Sequence, residues 1–200
     1  MKGRCAIINP DGEIELYVDS GSFNIVNNQL VFTRLNKILH VREEQPSGTH
    51  GGTFTAGSYV TRVLNTVKTN TIDGASLATN IITLPPGIYK VNVKAPACAV
   101  SYHKAKLYNE TTRSDLIIGS SMNASSSYGG YNLAEISGII TLTEITNLTV
   151  KHQCSVTKTT NGLGLPSTYG EVEVYTDVMI EKIGYIIKVK LKNGETTFNN

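Results

Sequence analysis

His152 and Cys154 stand two residues apart in VKHQCSV (150–156), and His103 opens HKAKLYN (103–109). Together they offer imidazole nitrogen and thiol sulfur, the donors that zinc and other borderline metals take at about 2.0–2.3 Å. A cysteine beside a histidine is also the pairing that yields a thiolate nucleophile. Period-two alternation favours neither use. On a strand, positions 150, 152, 154 and 156 share a face, so the pair lines up with Val150 and Val156 while Lys151, Gln153 and Ser155 look the other way. His103 shares its face with Ala105 and Leu107 in the same manner. Such apolar company makes His103, His152 and Cys154 structural or interface residues, with the rings hydrogen-bonded to backbone. A base on the nucleophile's own strand is badly placed, and nothing in the chain marks an oxyanion hole. No catalytic residue, no metal ligand and no cofactor is expected.

Other constellations are weaker. Glu171 and Glu173 put two carboxylates on one strand face about 7 Å apart, but alternating glutamates on a strand ordinarily solvate it. The glycine-rich GTHGGT at 48–53 lacks the Gly-Lys-Ser/Thr ending of a phosphate loop and runs into a strand rather than a helix. It reads as a flexible lead-in to the first strand, small enough for subunits to approach closely. Tyrosine is the more informative residue, with ten Tyr against four Phe and no Trp. Tyr128 and Tyr131 flank Gly129-Gly130 at the end of a serine-rich loop, and Tyr169 follows a polar loop that begins at Asn161. A flat apolar ring with a hydroxyl suits a sugar or protein surface at low entropic cost. Tyr128, Tyr131, Asn161 and Tyr169 are therefore the candidate receptor or glycan contacts, the alternative being rings that cap the fold or pack between subunits.

Composition narrows the class. Charged residues make up 17% of the 200, below the roughly 25% of an ordinary globular chain. A net charge of +2 without any run of Lys or Arg gives no footprint for nucleic acid. No apolar stretch approaches the about 20 residues that span a bilayer, so no membrane insertion is expected. Residues 1–8 are too short for a signal peptide, which implies a chain made and kept in a cytosol-like compartment before use. The three cysteines, Cys5, Cys98 and Cys154, are odd in number without C-x-x-C spacing, and read as buried free thiols. Sequons at Asn109, Asn123 and Asn147 are expected by chance in a chain so rich in Asn and Thr.

The elements that must carry these residues are strands. Short, β-branched, alternating runs occur at 59–64, 80–84, 88–94, 100–108, 115–118, 134–142, 148–156 and 171–183, separated by turn residues such as Pro85-Pro86-Gly87 and the small-residue stretch 120–130. That number and spacing predict an all-β, antiparallel two-sheet jelly-roll sandwich. In the last run Val172, Val174, Thr176, Val178 and Ile180 are expected on one face, with Glu171, Glu173, Tyr175 and Asp177 on the other. Small β extensions are expected at both ends. Residues 1–42 read as a hairpin-rich attachment segment, with a helix over 29–40 as the less favoured alternative. Residues 43–184 form the jelly roll, and 185–200 form a hairpin turning at Asn193-Gly194.

Several phrases together resemble the carboxyl-terminal domains of bacteriophage tail fibres and related virion proteins, trimeric jelly rolls built like the complement-type globular head. They are VREEQPSGTHGGTFTAGSYVTRVLNTVKTN (41–70), ITLPPGIYKVNVKAPA (82–97), HKAKLYN (103–109) and LTVKHQCSVTKTTNGLGLPSTYGEVEVYTDVMIEK (148–182). The resemblance implies a non-enzymatic homotrimer on a virion, made in the host cytoplasm, that meets other virion proteins and a host-surface glycan or protein. Long shafts usually precede such domains, yet the leading residues show neither a G-X-Y repeat nor sustained heptads. The tail also runs past the point where such domains tend to stop. Both departures favour a compact capsid decoration protein or a short fibre knob. A cellular carbohydrate-binding module is the rival from another class, and a glycan-processing enzyme a distant third.

Overall fold

In the computed structural model, backbone is described for four short strands of the leading segment and continuously over residues 37–184, with side chains over 37–184. The chain divides into two compact units, Met1–Lys37 and Ile38–Asn200. In the first, β1 (Ile7–Ile8) pairs antiparallel with β2 (Ile14–Glu15), and β3 (Ser22–Val26) with β4 (Gln29–Thr33). Residues 29–33 are thus strand, as favoured over the helix. Cys5 and the expected hairpin at 185–200 lie outside the described residues.

The second unit is an all-β sandwich. Its strands are β5 (Lys37–Gln45), β6 (Val60–Thr61), β7 (Thr66–Asn70), β8 (Ser76–Ala78), β9 (Ile81–Leu84), β10 (Gly87–Cys98), β11 (Ser101–Asn109), β12 (Ser114–Ala124), β13 (Tyr131–Leu142), β14 (Thr146–Cys154) and β15 (Glu173–Gly184). The front sheet runs β13-β10-β15-β5-β7 and the back sheet β12-β11-β14-β9-β8, with β6 added on β14. Numbering the eight main strands from β5 and then β9 to β15, the first neighbours the eighth, the second the seventh, the third the sixth and the fourth the fifth. This nesting is a long hairpin rolled over itself, the jelly roll that the sequence predicts.

Alternation builds the core. Leu39 and Val41 of β5, Tyr89, Val91 and Val93 of β10, Ala105 and Leu107 of β11, Leu148 and Val150 of β14, and Val178 and Ile180 of β15 all point between the sheets. A smaller apical cluster gathers Phe54, Ala97, Val100, Ala124 and Cys154.

Three expectations change. Strand β5 pairs with β7 and neighbours β15 in the front sheet, so the boundary placed at 42/43 falls inside a strand of the sandwich. The stretch 120–130 is strand as far as Ala124, since its small side chains still meet the ladder to β11. The alternation in β15 slips: Tyr175 and Thr176 are both buried, Glu173 is buried, and Val172 and Val174 are exposed. The slip has a polar cause. Thr176 Oγ1 turns inward to Glu43 and Arg62, while Tyr175 donates its hydroxyl to the Thr49 carbonyl at 2.6 Å.

Strand direction gives the body two distinct ends. β5 starts and β15 finishes at the base, whereas the loops 46–59, 99–100, 125–130 and 155–172 gather at the apex.

Candidate functional site

Beneath the apical loops the sandwich is polar. Arg62 sits where the chain leaves β6 in the back sheet and crosses to β7 in the front, which carries its side chain between the sheets. The guanidinium is fully buried and donates to Thr176 Oγ1 (2.7 Å), the Pro96 carbonyl (3.2 Å), the Leu163 carbonyl (2.8 Å) and Glu43 Oε2 (3.3 Å). One side chain thereby ties β5, β10, β15 and the loop 155–172. Burial drives both partners towards neutrality, raising Glu43 and lowering Arg62, and their mutual attraction opposes it.

His103 and His152 form a second buried chain whose tautomers can be read from its fixed end. Asn132 donates through Nδ2 to the Asn123 carbonyl, so its Oδ1 accepts from His103 Nε2 at 2.5 Å. His103 Nδ1 is then the acceptor and His152 Nε2 the donor across 3.0 Å, leaving His152 Nδ1 buried without a partner among the described residues. Burial, with Arg62 as the nearby cation, lowers His152 to about 2; burial likewise lowers His103. Both rings are neutral and packed, His152 lying 4.7 Å from Phe54 between centroids. Cys154 donates to the Val156 carbonyl, and burial raises its thiol to about 11, far above a reactive cysteine's range. Cys98 is a second buried free thiol. Among the described residues no three His, Cys, Asp or Glu are placed to hold a metal ion.

The apical loops are pinned by Glu173, which is buried rather than solvating its strand. Its carboxylate accepts from the amides of Gly48, Ser167 and Thr168 and from the Ser167 hydroxyl, and these donors lower it to about 2. The 48–53 segment is not a free lead-in. Gly51 donates to the Gly164 carbonyl, and a Cβ on Gly51 would sit 2.7 Å from the Gly164 nitrogen, so its close approach is made within the chain.

The candidate contact residues all lie at the apex and differ in exposure. Tyr128 (93% exposed) and Tyr169 (86%) stand free at loop tips. Tyr131 instead lines a depression of about 510 Å³ with Leu165, Val172 and Val174, and Asn161 lies in a tight turn with its Oδ1 buried. The Arg62–Glu43 pair escaped the sequence reading although its signal was present. Arg62 is in phase with Val60 and Leu64, and Glu43 with Leu39 and Val41, each a charge on an apolar face.

No protein-family model and no curated protein matches the chain. Among solved structures it is similar to the Eiger TNF from S. frugiperda, at 14% identity and a TM-score of 0.49, covering 82% of this chain and 100% of that one. Murine APRIL at pH 5.0 aligns at 13% identity and TM-score 0.47 over 74% of this chain and 100% of its own. The globular domain of the zebrafish complement 1qA protein aligns at 13% and 0.42 over 72% and 94%. Likeness at this level carries no information about ligand or assembly.

Proposed function

We propose that the chain is a non-enzymatic, homotrimeric attachment head of a bacteriophage particle, a fibre knob or a capsid decoration protein. The polarity of the body carries this reading. The chain continues towards residues 1–36 and 185–200 from one end, while the pinned loops with Tyr128, Tyr131 and Tyr169 occupy the other. A base for joining neighbouring virion proteins and an apex for a host-surface glycan or protein fit that division. Two further observations support it. The phrases at 41–70, 82–97 and 148–182 resemble trimeric virion domains, and the outward face of the front sheet exposes Ile139 (64%) on β13 and Val174 (39%) and Met179 (36%) on β15. Apolar residues on one sheet face suit close contact with copies of the same chain.

Light scattering on the purified chain is expected to give three times 21.6 kDa, about 65 kDa. Particle reconstruction is expected to place the chain on the virion with the loops 125–130 and 155–172 outward. A monodisperse monomer at micromolar concentration overturns the assembly, and absence from purified particles overturns the location.

A further inference from the structure

The outward face of the back sheet carries a groove whose apical end borders the loops 46–59 and 155–172. On β11 the outward residues are Tyr102, Lys104, Lys106 and Tyr108, and across the ladder to β14 Gln153 lies opposite Lys104 and Lys151 opposite Lys106. Tyr59, just ahead of β6, is drawn over this face, with Lys106 Nζ 4.0 Å from its ring centroid. The ring separates an apical depression of about 590 Å³, bounded by Tyr102, Lys104 and Gln153, from a basal one of about 380 Å³ that reaches Tyr108 and Arg113.

Charge in the groove is one-sided. Lys106 is held by Asp115 at 2.7 Å and Lys151 by Glu110 at 2.6 Å, whereas Lys104 and Arg113 close no ion pair among the described residues. Four cations against two carboxylates leave +2, equal to the formal net charge of the whole chain. Arg113 is also held at φ 56°, a left-handed backbone where glycine is the cheap residue, by a turn in which Asn109 Oδ1 accepts from Thr111 and Thr112.

We infer that this groove binds a carboxylate-bearing oligosaccharide laid along β11, its sugar rings against Tyr59 and its acidic groups on Lys104 and Arg113. Sugar rings offer an apolar face to tyrosine and hydroxyls to the Gln153 amide and the Ser121 hydroxyl, which line the same depression. A cation on either side of the Tyr59 ring, Lys104 without an ion pair among the described residues and Arg113 sharing the field of Glu110 with Lys151, matches a chain whose acids recur between stacked rings. An extended acidic peptide lacks its usual purchase, because β11 is paired on both edges, by β12 and β14. A phosphate chain has no ring to lay against Tyr59. The groove uses none of Tyr128, Tyr131 and Tyr169, so it is tested separately from the apical tyrosines.

The test titrates the full chain by calorimetry with hexasaccharides of hyaluronan, polygalacturonate and polysialate, with maltohexaose and hexaglutamate as comparisons. At least one acidic sugar is expected to bind, more weakly as salt is raised. Tyr59→Ala and Lys104→Ala are each expected to weaken that binding by about tenfold, with circular dichroism and particle mass unchanged, and Tyr128→Ala to leave it as it was. Binding of none of the acidic sugars overturns the proposal. So does equal binding of maltohexaose or hexaglutamate, or folded Tyr59→Ala and Lys104→Ala variants that bind like the wild type. The assembly is read separately, since a monomer that still binds acidic sugar sinks only the trimer.

Discussion

Arg62 and Glu43 close an ion pair at 3.3 Å with both side chains sealed inside the sandwich, and Glu43 Oε1 has no hydrogen-bond partner there. The pair is a poor source of net stability, because desolvating two charges costs about what their attraction returns. Losing one partner is different. Arg62→Met strands a buried carboxylate and frees the Pro96 and Leu163 carbonyls, so it is expected to cost roughly 3–5 kcal/mol in urea unfolding. The double variant Glu43→Leu, Arg62→Met is expected to recover most of that loss. A double variant no better than Arg62→Met alone would show that the guanidinium's contacts with Thr176, Pro96 and Leu163 matter more than the charge pair.

The histidine chain makes stability fall with acid. His152 is lowered to about 2 in the fold and regains an ordinary value near 6.5 when unfolded, so the unfolded chain binds the extra proton. Its contribution is fully present above pH 6.5 and is lost as pH falls below it, at about 1.4 kcal/mol per unit. His103, also lowered, acts with the same sign, whereas Glu43, raised by burial, acts with the opposite one. The readout is therefore the difference between the wild type and His152→Leu in thermal melts from pH 7 to 5. The wild type is expected to lose stability more steeply; parallel curves would mean that the ring is hydrated in the fold.

Glu173 governs the apex. Glu173→Gln keeps the shape of the side chain but replaces one acceptor oxygen with a donor facing the amides of Gly48, Ser167 and Thr168. Faster hydrogen exchange is expected at those three amides and earlier proteolysis in 165–170, with β10 and β14 unaffected. The wild-type carboxylate, lowered to about 2, contributes stability that is present above pH 4.5 and lost as pH falls towards 2. Acid and the substitution should therefore loosen the same loops. Uniform loosening of the whole sandwich would place the role of Glu173 in the core instead.

What the sequence made legible was what alternation alone determines. β10, β11, β13 and β14 follow period two over most of their length, so both the sandwich and the inward facing of His103, His152 and Cys154 could be read directly. β15 misled because period two presumes one continuous pleat, and the polar demands of Glu43, Arg62 and the Thr49 carbonyl break it at Tyr175-Thr176. β5 was missed as a sandwich strand because its pattern KILHVREEQ ends in charges, one of which, Glu43, is buried by a partner nineteen positions away. The groove on the back sheet was invisible for a related reason. Period two puts Lys104 and Lys106 on the outward face of β11, and only the fold brings Tyr59, distant in the chain, against Lys106.

The two ends of the body can be separated by truncation. β5 begins at Lys37 and lies between β15 and β7 in the front sheet, so a chain starting at Lys37 retains every strand of the sandwich. A chain starting at Glu43 loses Leu39 and Val41, both fully buried, and opens the core along β15. Deleting 1–36 is therefore expected to leave a soluble protein with the wild-type melting profile, whereas deleting 1–42 is expected to give aggregated or molten material, since Leu and Val truncations in a core cost several kcal/mol together. If the base is the attachment end, the 1–36 deletion stays trimeric in light scattering but fails to join particles when supplied to a phage lacking the chain. The paired substitution of Tyr128 and Tyr131 by Ala does the reverse, joining particles normally and reducing adsorption to the host. Incorporation of the 1–36 deletion at wild-type levels would move attachment to residues 185–200 or to the base of the sandwich. A 1–42 deletion that folds would show that β5 is dispensable and that β7 can close the sheet on β15.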